Sequence, residues 1–181
     1  MSGFRRTSSR IAYENPWMRV REDEFVRPDG SPGLYGVVEK ADFALVIPLA
    51  EGAVHMVEQY RYPVGQRQWE LPQGSWPRGA SGVPEALAHA ELEEETGLRA
   101  ASMEHVGHLY SAYGHSAQGF DIFLATGLEA GEPRREATEQ DMRSARFSVD
   151  QLEDMLRGGR VRDGPTVAAW GLYRLRPSGA Q

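Results

Sequence analysis

Runs of apolar residues divide the chain into segments typical of strands and segments typical of helices. The continuous run "FALVIPLA" at 43–50 is followed by a Glu–Gly turn and by "AVHMVEQYRY" at 53–62. This arrangement predicts a β-hairpin whose first strand is buried. Residues 11–39 alternate in part between apolar and polar residues and contain the turn-rich stretch "RPDGSPG", which predicts further strands near the start of the chain.

Helical patterns lie in the middle and at the end of the chain. Residues 85–96, "EALAHAELEEET", are strong helix formers, Gly97 follows as a helix terminator, and Pro84 stands where a first helical turn tolerates proline. The remaining predicted elements are strands at 104–113, 119–126 and "ARFSV", and helices at 148–156 and 164–174. The order of these elements predicts a mixed α+β domain with one acid-rich helix at its centre.

Two stretches carry no regular pattern. Residues 63–82 contain many glycines and prolines and are expected to form a long loop. Residues 129–142 form a polar loop of unusual length, which is typical of functional segments. We expect three regions along the chain: a flexible N-terminus at 1–10, a β segment at 11–42 and the main domain at 43–176.

Composition and charge exclude several classes of protein. The chain has 181 residues, 40% of them hydrophobic and 25% charged, which suits one compact globular domain. Its net charge of -6 gives no overall basic footprint, so we expect no nucleic-acid partner. Because the chain has no cysteine, it has no disulfide, thiol nucleophile or thiolate metal site.

The ends and apolar runs of the sequence bear on its location. The start "MSGFRRTSSR" lacks the apolar core of a secretory signal. No apolar run in the sequence reaches the length of a membrane span. We therefore expect a cytoplasmic protein with no membrane partner.

The predicted central helix ends in a cluster of acids. Residues three and four positions apart share a helix face, so Glu91, Glu94 and Glu95 converge. Glu93 is displaced to another side. A helix C-terminus carries partial negative charge, which disfavours acids there by roughly 0.3–1 kcal/mol each. The cluster is either a solvated acidic face or a site for a hard divalent cation, and the helix alone does not distinguish the two.

The loop before this helix adds a second signal. "WELPQG", a Gly- and Pro-rich stretch and "AELEEETGL" together resemble the box of the Nudix hydrolase superfamily, G-x5-E-x7-R-E-U-x-E-E-x-G-U, with U an aliphatic residue. Further segments are similar to the ADP-ribose pyrophosphatase branch of that superfamily: "VEQYRYPVGQRQWELPQG", "FDIFLATGL" and "LEDMLRGGRVRDGPTVAAWGLYRL". The resemblance extends over residues 11–175.

The resemblance implies a fold, an activity and an assembly. The fold is a mixed β-sheet sandwiched between helices (α/β/α), with residues 43–176 as the Nudix hydrolase domain. The antiparallel β segment at 11–42 is then a dimerisation arm in a homodimer. The activity is hydrolysis, dependent on Mg²⁺ or Mn²⁺, of the diphosphate bond of a nucleoside diphosphate substrate, ADP-ribose or a nucleotide sugar. The products are a nucleoside monophosphate and a sugar phosphate.

The same resemblance assigns the metal and catalytic roles. It implies that Glu91, Glu94 and Glu95 hold the metal together with the backbone carbonyl of Gln73. The general base that activates water is expected to be Glu139, in the late acidic loop "EATEQDM". Glu94 is counted with Glu139 as catalytic.

Four residues are expected at the substrate. Arg61 in "EQYRYP" is expected to contact the diphosphate bidentately, with a structural role at a sheet end as the alternative. Glu70 in "WELP" is expected to hold a substrate group or a partner of the metal site. Gly74 opens the box, and His115 lies in the loop "SAYGHS" near the expected substrate.

The remaining aromatic and histidine residues give weaker predictions. Candidates for stacking on a base are Trp17, Trp69 and Trp76, with core or interface positions as the alternative for the first two. His105 and His108 are expected to point to opposite faces of a strand.

Two departures from the box leave the activity open. The box arginine falls on Ala90, and the basic residues that could take its place are Arg61, Arg67 and Arg78. Counted back from Gly97, the opening glycine falls on Trp76 rather than on Gly74, which indicates a two-residue insertion in "SWPRGASGVP". The first box glutamate is missing. The alternative function is therefore a catalytically weakened Nudix module that binds a nucleotide for regulation.

Overall fold

The computed structural model describes residues 3–77, 80, 82–134 and 141–177. Its strands are β1 (Arg5–Glu14), β2 (Arg19–Val26), β3 (Pro32–Glu39), β4 (Phe43–Ala50), β5 (Ala53–Arg61), β6 (Gln66–Glu70), β7 (Gln73–Ser75), β8 (Leu98–Tyr110), β9 (Gly119–Ala130) and β10 (Arg143–Ser148). Its helices are α1 (Pro84–Thr96), α2 (Val149–Arg157) and α3 (Gly164–Arg174), with a 3-10 turn at Tyr62–Val64. None of the helices in the described ranges is both long and apolar enough to cross a lipid bilayer.

The first three strands form a separate antiparallel sheet in the order β1-β2-β3. Ion pairs between neighbouring strands and within β2 support it, among them Arg10–Glu22 and Arg21–Asp23. The turn in "RPDGSPG" closes with Asp29 accepting a hydrogen bond from the Ser31 amide at 2.9 Å. β1 begins at Arg5 and pairs with β2 along its whole length, so residues 5–10, which we expected to be frayed, lie in a strand.

The remaining strands form one mixed sheet. Its main order is β10-β5-β4-β9-β8, with β6 paired to β5 and β7 paired to β4. The pairing of β4 with β9 is parallel, and the other pairings are antiparallel. The predicted hairpin of β4 and β5 is confirmed.

Alternate residues of β4 face two different helical layers. Ala44 and Val46 pack with Leu87, Ala88 and Leu92 of α1. On the other face, Leu45 and Ile47 pack with residues of α2 and α3, which include Leu152, Met155 and Trp170. Because β4 contributes apolar residues to both faces, it reads as a continuous apolar run. The predicted mixed sheet between helical layers is confirmed.

The prediction of a long loop at 63–82 is wrong for its first half. Gln66–Glu70 and Gln73–Ser75 are strands that pair with β5 and β4. The two strands predicted at 104–113 and 119–126 are longer than expected and form the most extensive pairing in the sheet, from Leu98↔Ala130 to Tyr110↔Gly119.

The N-terminal sheet is attached to the main domain through the loop at 111–118. The Val38 amide donates to the His115 carbonyl at 2.8 Å, and the Ser116 hydroxyl donates to the Val38 carbonyl at 2.8 Å. The Tyr35 hydroxyl donates to the carbonyl of Gly114. These bonds hold β3 beside the loop that follows β8.

Candidate active site

A cavity of about 430 Å³ is lined by residues from the acid helix α1, from the "LPQG" segment (71–74) and from the N-terminal sheet. Its lining includes Trp17, Gln59, Arg61, Gln73, Gly74, Trp76, Glu91 and Glu94. Seven of these eight residues are predicted site candidates, with Trp17 and Trp76 among them as candidates for stacking. The cavity therefore joins carboxylates and a guanidinium in one space that is open to a ligand.

The position of Glu91 depends on Gly74. Helix α1 packs against β4 and β7, and Gly74 pairs with Ala44 in the sheet beneath it. A Cβ atom placed on Gly74 would lie 2.3 Å from both carboxylate oxygens of Glu91. The missing side chain is therefore the space that the Glu91 carboxylate occupies.

Glu95 lies under the cavity and not in its wall. Its side chain is 1% exposed, and its Oε2 atom accepts a hydrogen bond from the Gln73 amide at 3.2 Å. This contact ties the last turn of α1 to the start of β7. Two of the four predicted metal-site residues, Gln73 and Glu95, are thus brought together by the fold.

Glu93 has a different environment, as the helical spacing predicted. Its carboxylate pairs with Arg99 at 2.7 Å and with Arg134 at 3.2 Å. The hydrogen bond from Arg99, helped by the charges of both arginines, lowers the pKa of Glu93. Gly97 then ends the helix in the left-handed conformation, with φ of 77°. At the C-terminal end of α1, Glu93 therefore belongs to a surface group of ion pairs, whereas Glu91 and Glu94 line the cavity.

Arg61 and Glu70 form an ion pair at the edge of the cavity. Glu70 is 1% exposed, and it accepts hydrogen bonds from Arg61 Nε at 3.1 Å and from Gln59 Nε2 at 2.7 Å. The Arg61 side chain remains 41% exposed and lines the cavity. Glu70, expected to hold a substrate group or a partner of the metal site, is buried and orients Arg61 through this bond.

The charges of this pair are coupled to their surroundings. Burial raises the pKa of Glu70, and the Arg61 guanidinium works in the opposite direction. Burial also works to lower the pKa of Arg61, but the carboxylates of Glu70, Asp163 and Glu95 more than offset it, so the pKa is raised. Arg61 is consequently a permanent cation at the cavity wall, where an anionic ligand would meet it.

The chemistry of the acidic residues fits a hard divalent cation. Glu91 and Glu94 bring carboxylate oxygens to the same cavity as the backbone of Gln73 and Gly74, and oxygen ligands are those that Mg²⁺ prefers. Within the ranges that the structure covers, no three His, Asp or Glu side chains converge as the ligands of a bound ion would.

Several predicted residues lie elsewhere. His115 lines a second groove with Tyr35 and Tyr113, away from the cavity that holds Glu91. Trp69 packs edge-on against Phe147 at 4.9 Å in the apolar core, which agrees with the structural alternative. Glu139 and Arg78 lie outside the described residues.

The prediction that His105 and His108 point to opposite faces is wrong. A bulge in the pairing of β8 with β9 falls between His105 and Gly107. The extra residue resets the alternation. Both imidazoles therefore contact one carboxylate, that of Asp121, at 2.8 Å and 3.3 Å.

Ala90 stands in the place of the box arginine, and the structure limits which other arginine could take that role. Arg67 is engaged by Glu58 and by Asp141 and is not among the residues that line the cavity. Arg61 is the described alternative that lines the cavity. Gln59, which the sequence reasoning missed, lines it as well. Its signal was its position two residues before Arg61, since such residues share one face of a strand.

Comparison with known proteins agrees with this arrangement. The profile of the nucleoside diphosphate sugar hydrolase N-terminal domain matches residues 4–38, and that of the NUDIX domain matches residues 40–170. A Mycobacterium tuberculosis protein named ADP-ribose pyrophosphatase is 30% identical over 91% of this chain and 80% of its own length. A Bacillus subtilis protein of the same name is 31% identical over 82% of this chain and 80% of its own length.

A solved structure shares the fold at much lower identity. It is described as an ADP compounds hydrolase and superposes with a TM-score of 0.82 over 94% of this chain and 92% of that chain, at 16% identity. The NUDIX match spans more than half of the chain and contains the acid helix, the "LPQG" segment and the cavity residues Arg61, Glu91 and Glu94. The chain therefore belongs to the Nudix hydrolase family.

Proposed function

We propose that this protein hydrolyses the diphosphate bond of ADP-ribose or a closely related nucleotide sugar, giving a nucleoside monophosphate and a sugar phosphate. One observation carries the proposal: the carboxylates of Glu91 and Glu94 and the guanidinium of Arg61 line the same cavity. Such a space matches a diphosphate that is held by metal on one side and by a fixed cation on the other. The names of the two relatives similar over most of the chain support ADP-ribose as the first substrate to test.

The acids of the helix are the metal ligands in this proposal. Glu91, Glu94 and Glu95, with the carbonyl of Gln73, would hold Mg²⁺ or Mn²⁺. When bound, the cation neutralises charge on the diphosphate and promotes ionisation of the attacking water. The burial of Glu95 and its bond to the Gln73 amide keep two of these residues in register before any metal arrives.

The protein's own side chains position and activate the reactants. Arg61, oriented by Glu70, binds diphosphate oxygens, and Gln59 donates a hydrogen bond to the same Glu70 carboxylate. Trp17 and Trp76 offer ring faces for a nucleobase at the same cavity. Glu139 is the proposed base: it takes a proton from the water that attacks phosphorus, and the bond from phosphorus to the bridging oxygen then breaks.

The described ends of the late acidic loop support the choice of Glu139. The Arg134 amide donates to the Glu94 carbonyl at 2.9 Å, so the loop leaves from the last turn of α1. At its other end, Asp141 accepts hydrogen bonds from Arg67. One described end of this loop is thus bonded to Glu94, a residue of the cavity wall.

A homodimer and a cytoplasmic location remain proposals from the sequence. Exposed apolar residues on the N-terminal sheet, which are Ile11, Tyr13, Leu34 and Tyr35, support an assembly through this sheet. The alternative function, a regulatory module that binds a nucleotide with little turnover, rests on Ala90 in the place of the box arginine.

The proposed function is tested with a substrate panel. The protein is incubated with Mg²⁺ and with ADP-ribose, other nucleotide sugars or dinucleotides, and monophosphate products are measured. Turnover that disappears in Glu94→Gln and Glu95→Gln but persists in Glu93→Gln supports the hydrolase, because Glu93 is on the same helix and faces Arg99 and Arg134 instead. Tight nucleotide binding without product from any compound would favour the regulatory module.

A binding measurement complements the kinetics. Mg²⁺ should raise the melting temperature of the wild type, because a ligand that binds only the folded state stabilises it. The variant with Glu91, Glu94 and Glu95 all changed to Gln should show no rise, and Glu93→Gln should match the wild type. An equal rise in the triple variant would exclude these acids as the ligands.

A further inference from the structure

Helix α3 does not line the cavity, yet its first turn holds the segment that does. Asp163 caps the helix: its Oδ2 atom accepts a hydrogen bond from the Thr166 amide at 2.9 Å. The same oxygen accepts a second bond from the Gln73 side-chain amide at 3.1 Å. One carboxylate oxygen thus joins the start of α3 to a residue of the cavity wall.

Thr166 makes a second connection to the same segment. Its side chain is fully buried, and its Oγ1 atom accepts a hydrogen bond from the Leu71 amide at 2.9 Å. Between these two contacts, the Pro72 carbonyl accepts the Val46 amide at 2.9 Å. The "LPQG" segment is therefore fixed by α3 at Leu71 and Gln73 and by β4 at Pro72.

We propose that Asp163 and Thr166 are positioning residues for the reaction, and that they set the placement of Gln73 and Gly74 at the cavity. The inference rests on the proposed function. Gln73 carries the backbone carbonyl assigned to the metal, and Gly74 provides the space for the Glu91 carboxylate. A shift of this segment would therefore move a metal ligand and disturb the contact with Glu91 together.

A purely structural role is the competing explanation. A helix cap and a buried hydrogen bond stabilise a protein whether or not they act on a reaction. Ser148 offers a matched comparison, because it caps α2 by accepting from the Gln151 amide at 3.1 Å in a complete capping box. Ser148 is not among the residues that line the cavity. Loss of its cap removes a comparable structural contact at another helix.

The experiment separates these roles with six variants of the whole protein. Asp163→Ala, Gln73→Leu and their combination form a double-mutant cycle on the shared bond. Asp163→Ala should lower kcat for ADP-ribose about 10- to 100-fold with little change in KM, since displacement of a positioned group affects the reacting geometry. The combined variant should be no slower than the slower single variant. Ser148→Ala should lower the melting temperature and leave kcat unchanged.

Thr166 provides a conservative rescue. Thr166→Val keeps the volume and loses the hydroxyl, and Thr166→Ser keeps the hydroxyl. The first variant should lose kcat and should speed hydrogen exchange in the peptide that contains Leu71, and the second should restore both. Two results would overturn the proposal. One is a loss of kcat in the combined Asp163→Ala and Gln73→Leu variant that equals the product of the two single losses. The other is a kcat in Thr166→Val equal to that of wild type.

Failure of the proposed function gives a different result. In that case, the wild type itself releases no product from any compound in the panel. The positioning proposal is then decided by two measurements that need no turnover: the Mg²⁺ concentration at half of the melting-temperature rise, and exchange of the Leu71 peptide. Weaker Mg²⁺ binding in Asp163→Ala and faster exchange in Thr166→Val support it, and wild-type values in both contradict it.

Discussion

The carboxylate of Glu91 lies against the backbone of Gly74, at a separation that leaves no room for a side-chain carbon at position 74. The requirement for glycine is one of space, because Gly74 is not among the described glycines with positive φ. Strand β7 and helix α1 therefore meet at a position where glycine leaves the space of a side chain free. Gly74, the glycine of "LPQG", and Glu91, the first acid of "AELEEETGL", therefore form one structural unit.

Gly74→Ala should damage the site more than the fold. The added Cβ would lie 2.3 Å from the Glu91 carboxylate oxygens, so the glutamate must turn away. We expect kcat/KM to fall about 10-fold or more, because a displaced metal ligand disturbs the reacting geometry. Gly36→Ala in β3, where nothing lies within 4 Å of the new carbon, is the matched control. Wild-type kinetics in Gly74→Ala would show that Glu91 has no need of this position.

Arg61→Ala should destabilise the protein in a pH-dependent manner. Without the guanidinium, the buried Glu70 carboxyl loses the partner that opposes the rise in its pKa. The folded state then favours the neutral form, so the stabilisation is present below the ordinary glutamate pKa and is lost as pH rises through the raised value. The loss relative to wild type should reach about 1–3 kcal/mol at pH 8, as for a buried polar group left without a partner. It should stay below the value for a fully buried pair, because the Arg61 side chain is 41% exposed.

Denaturant unfolding at pH 5 and pH 8 measures this effect. The combination of Arg61→Ala with Glu70→Gln removes the buried charge and should recover most of the stability lost at pH 8. A loss in Arg61→Ala that is equal at both pH values would mean that Glu70 is not the group responsible.

The acid helix was the most informative part of the sequence. The spacing of Glu91, Glu94 and Glu95 predicted one shared side, and Glu91 and Glu94 do line one cavity. The same spacing set Glu93 apart. Its partners could not be predicted, because Arg134 reaches it across 41 positions of the chain and the contact exists only once β9 has returned to α1.

The short strands β6 and β7 show where local patterns fail. "QRQWE" and "QGS" are polar and rich in residues with weak strand preference. They become strands because β5 and β4 offer unpaired backbone groups beside them, as in the pairs Val57↔Glu70 and Ala44↔Gly74. Asp163 was missed for a related reason, since its contact with Gln73 joins residues 90 positions apart.

The prediction for His105 and His108 assumed strict alternation of side chains along a strand, and a β-bulge interrupts that alternation. His105 and His108 are three positions apart, which places them on opposite faces of a regular strand. The irregularity before Gly107 changes the count by one, so both reach Asp121. Nothing in the local sequence other than the glycine indicates that a bulge is there.

His55 should contribute to loss of stability in mild acid. Burial in β5, with a smaller contribution from the charge of Arg146 on the paired strand, lowers its pKa. As pH falls, the unfolded chain therefore takes up the proton before the folded protein does. Stability is present above the ordinary histidine pKa and is lost as pH falls through the lowered value.

Melting temperatures between pH 7.5 and pH 5 test the assignment. As pH falls, the melting temperature of His55→Gln should decrease less steeply than that of wild type. The slope for Arg146→Gln should be intermediate. A wild-type slope in His55→Gln would assign the acid sensitivity to other groups.

The proposed homodimer depends on the N-terminal sheet, and a charge placed on that sheet should dissociate it. Leu34 in β3 is 61% exposed, and an arginine there would have to be desolvated if β3 lies at the interface. We expect Leu34→Arg to shift the mass measured by light scattering from dimer to monomer. Leu175, 82% exposed just after α3, gives the matched substitution Leu175→Arg, which should leave the mass unchanged. A dimer that survives Leu34→Arg but not Leu175→Arg would place the interface on the helical face instead, and the N-terminal sheet would then serve the cavity of its own chain through Trp17.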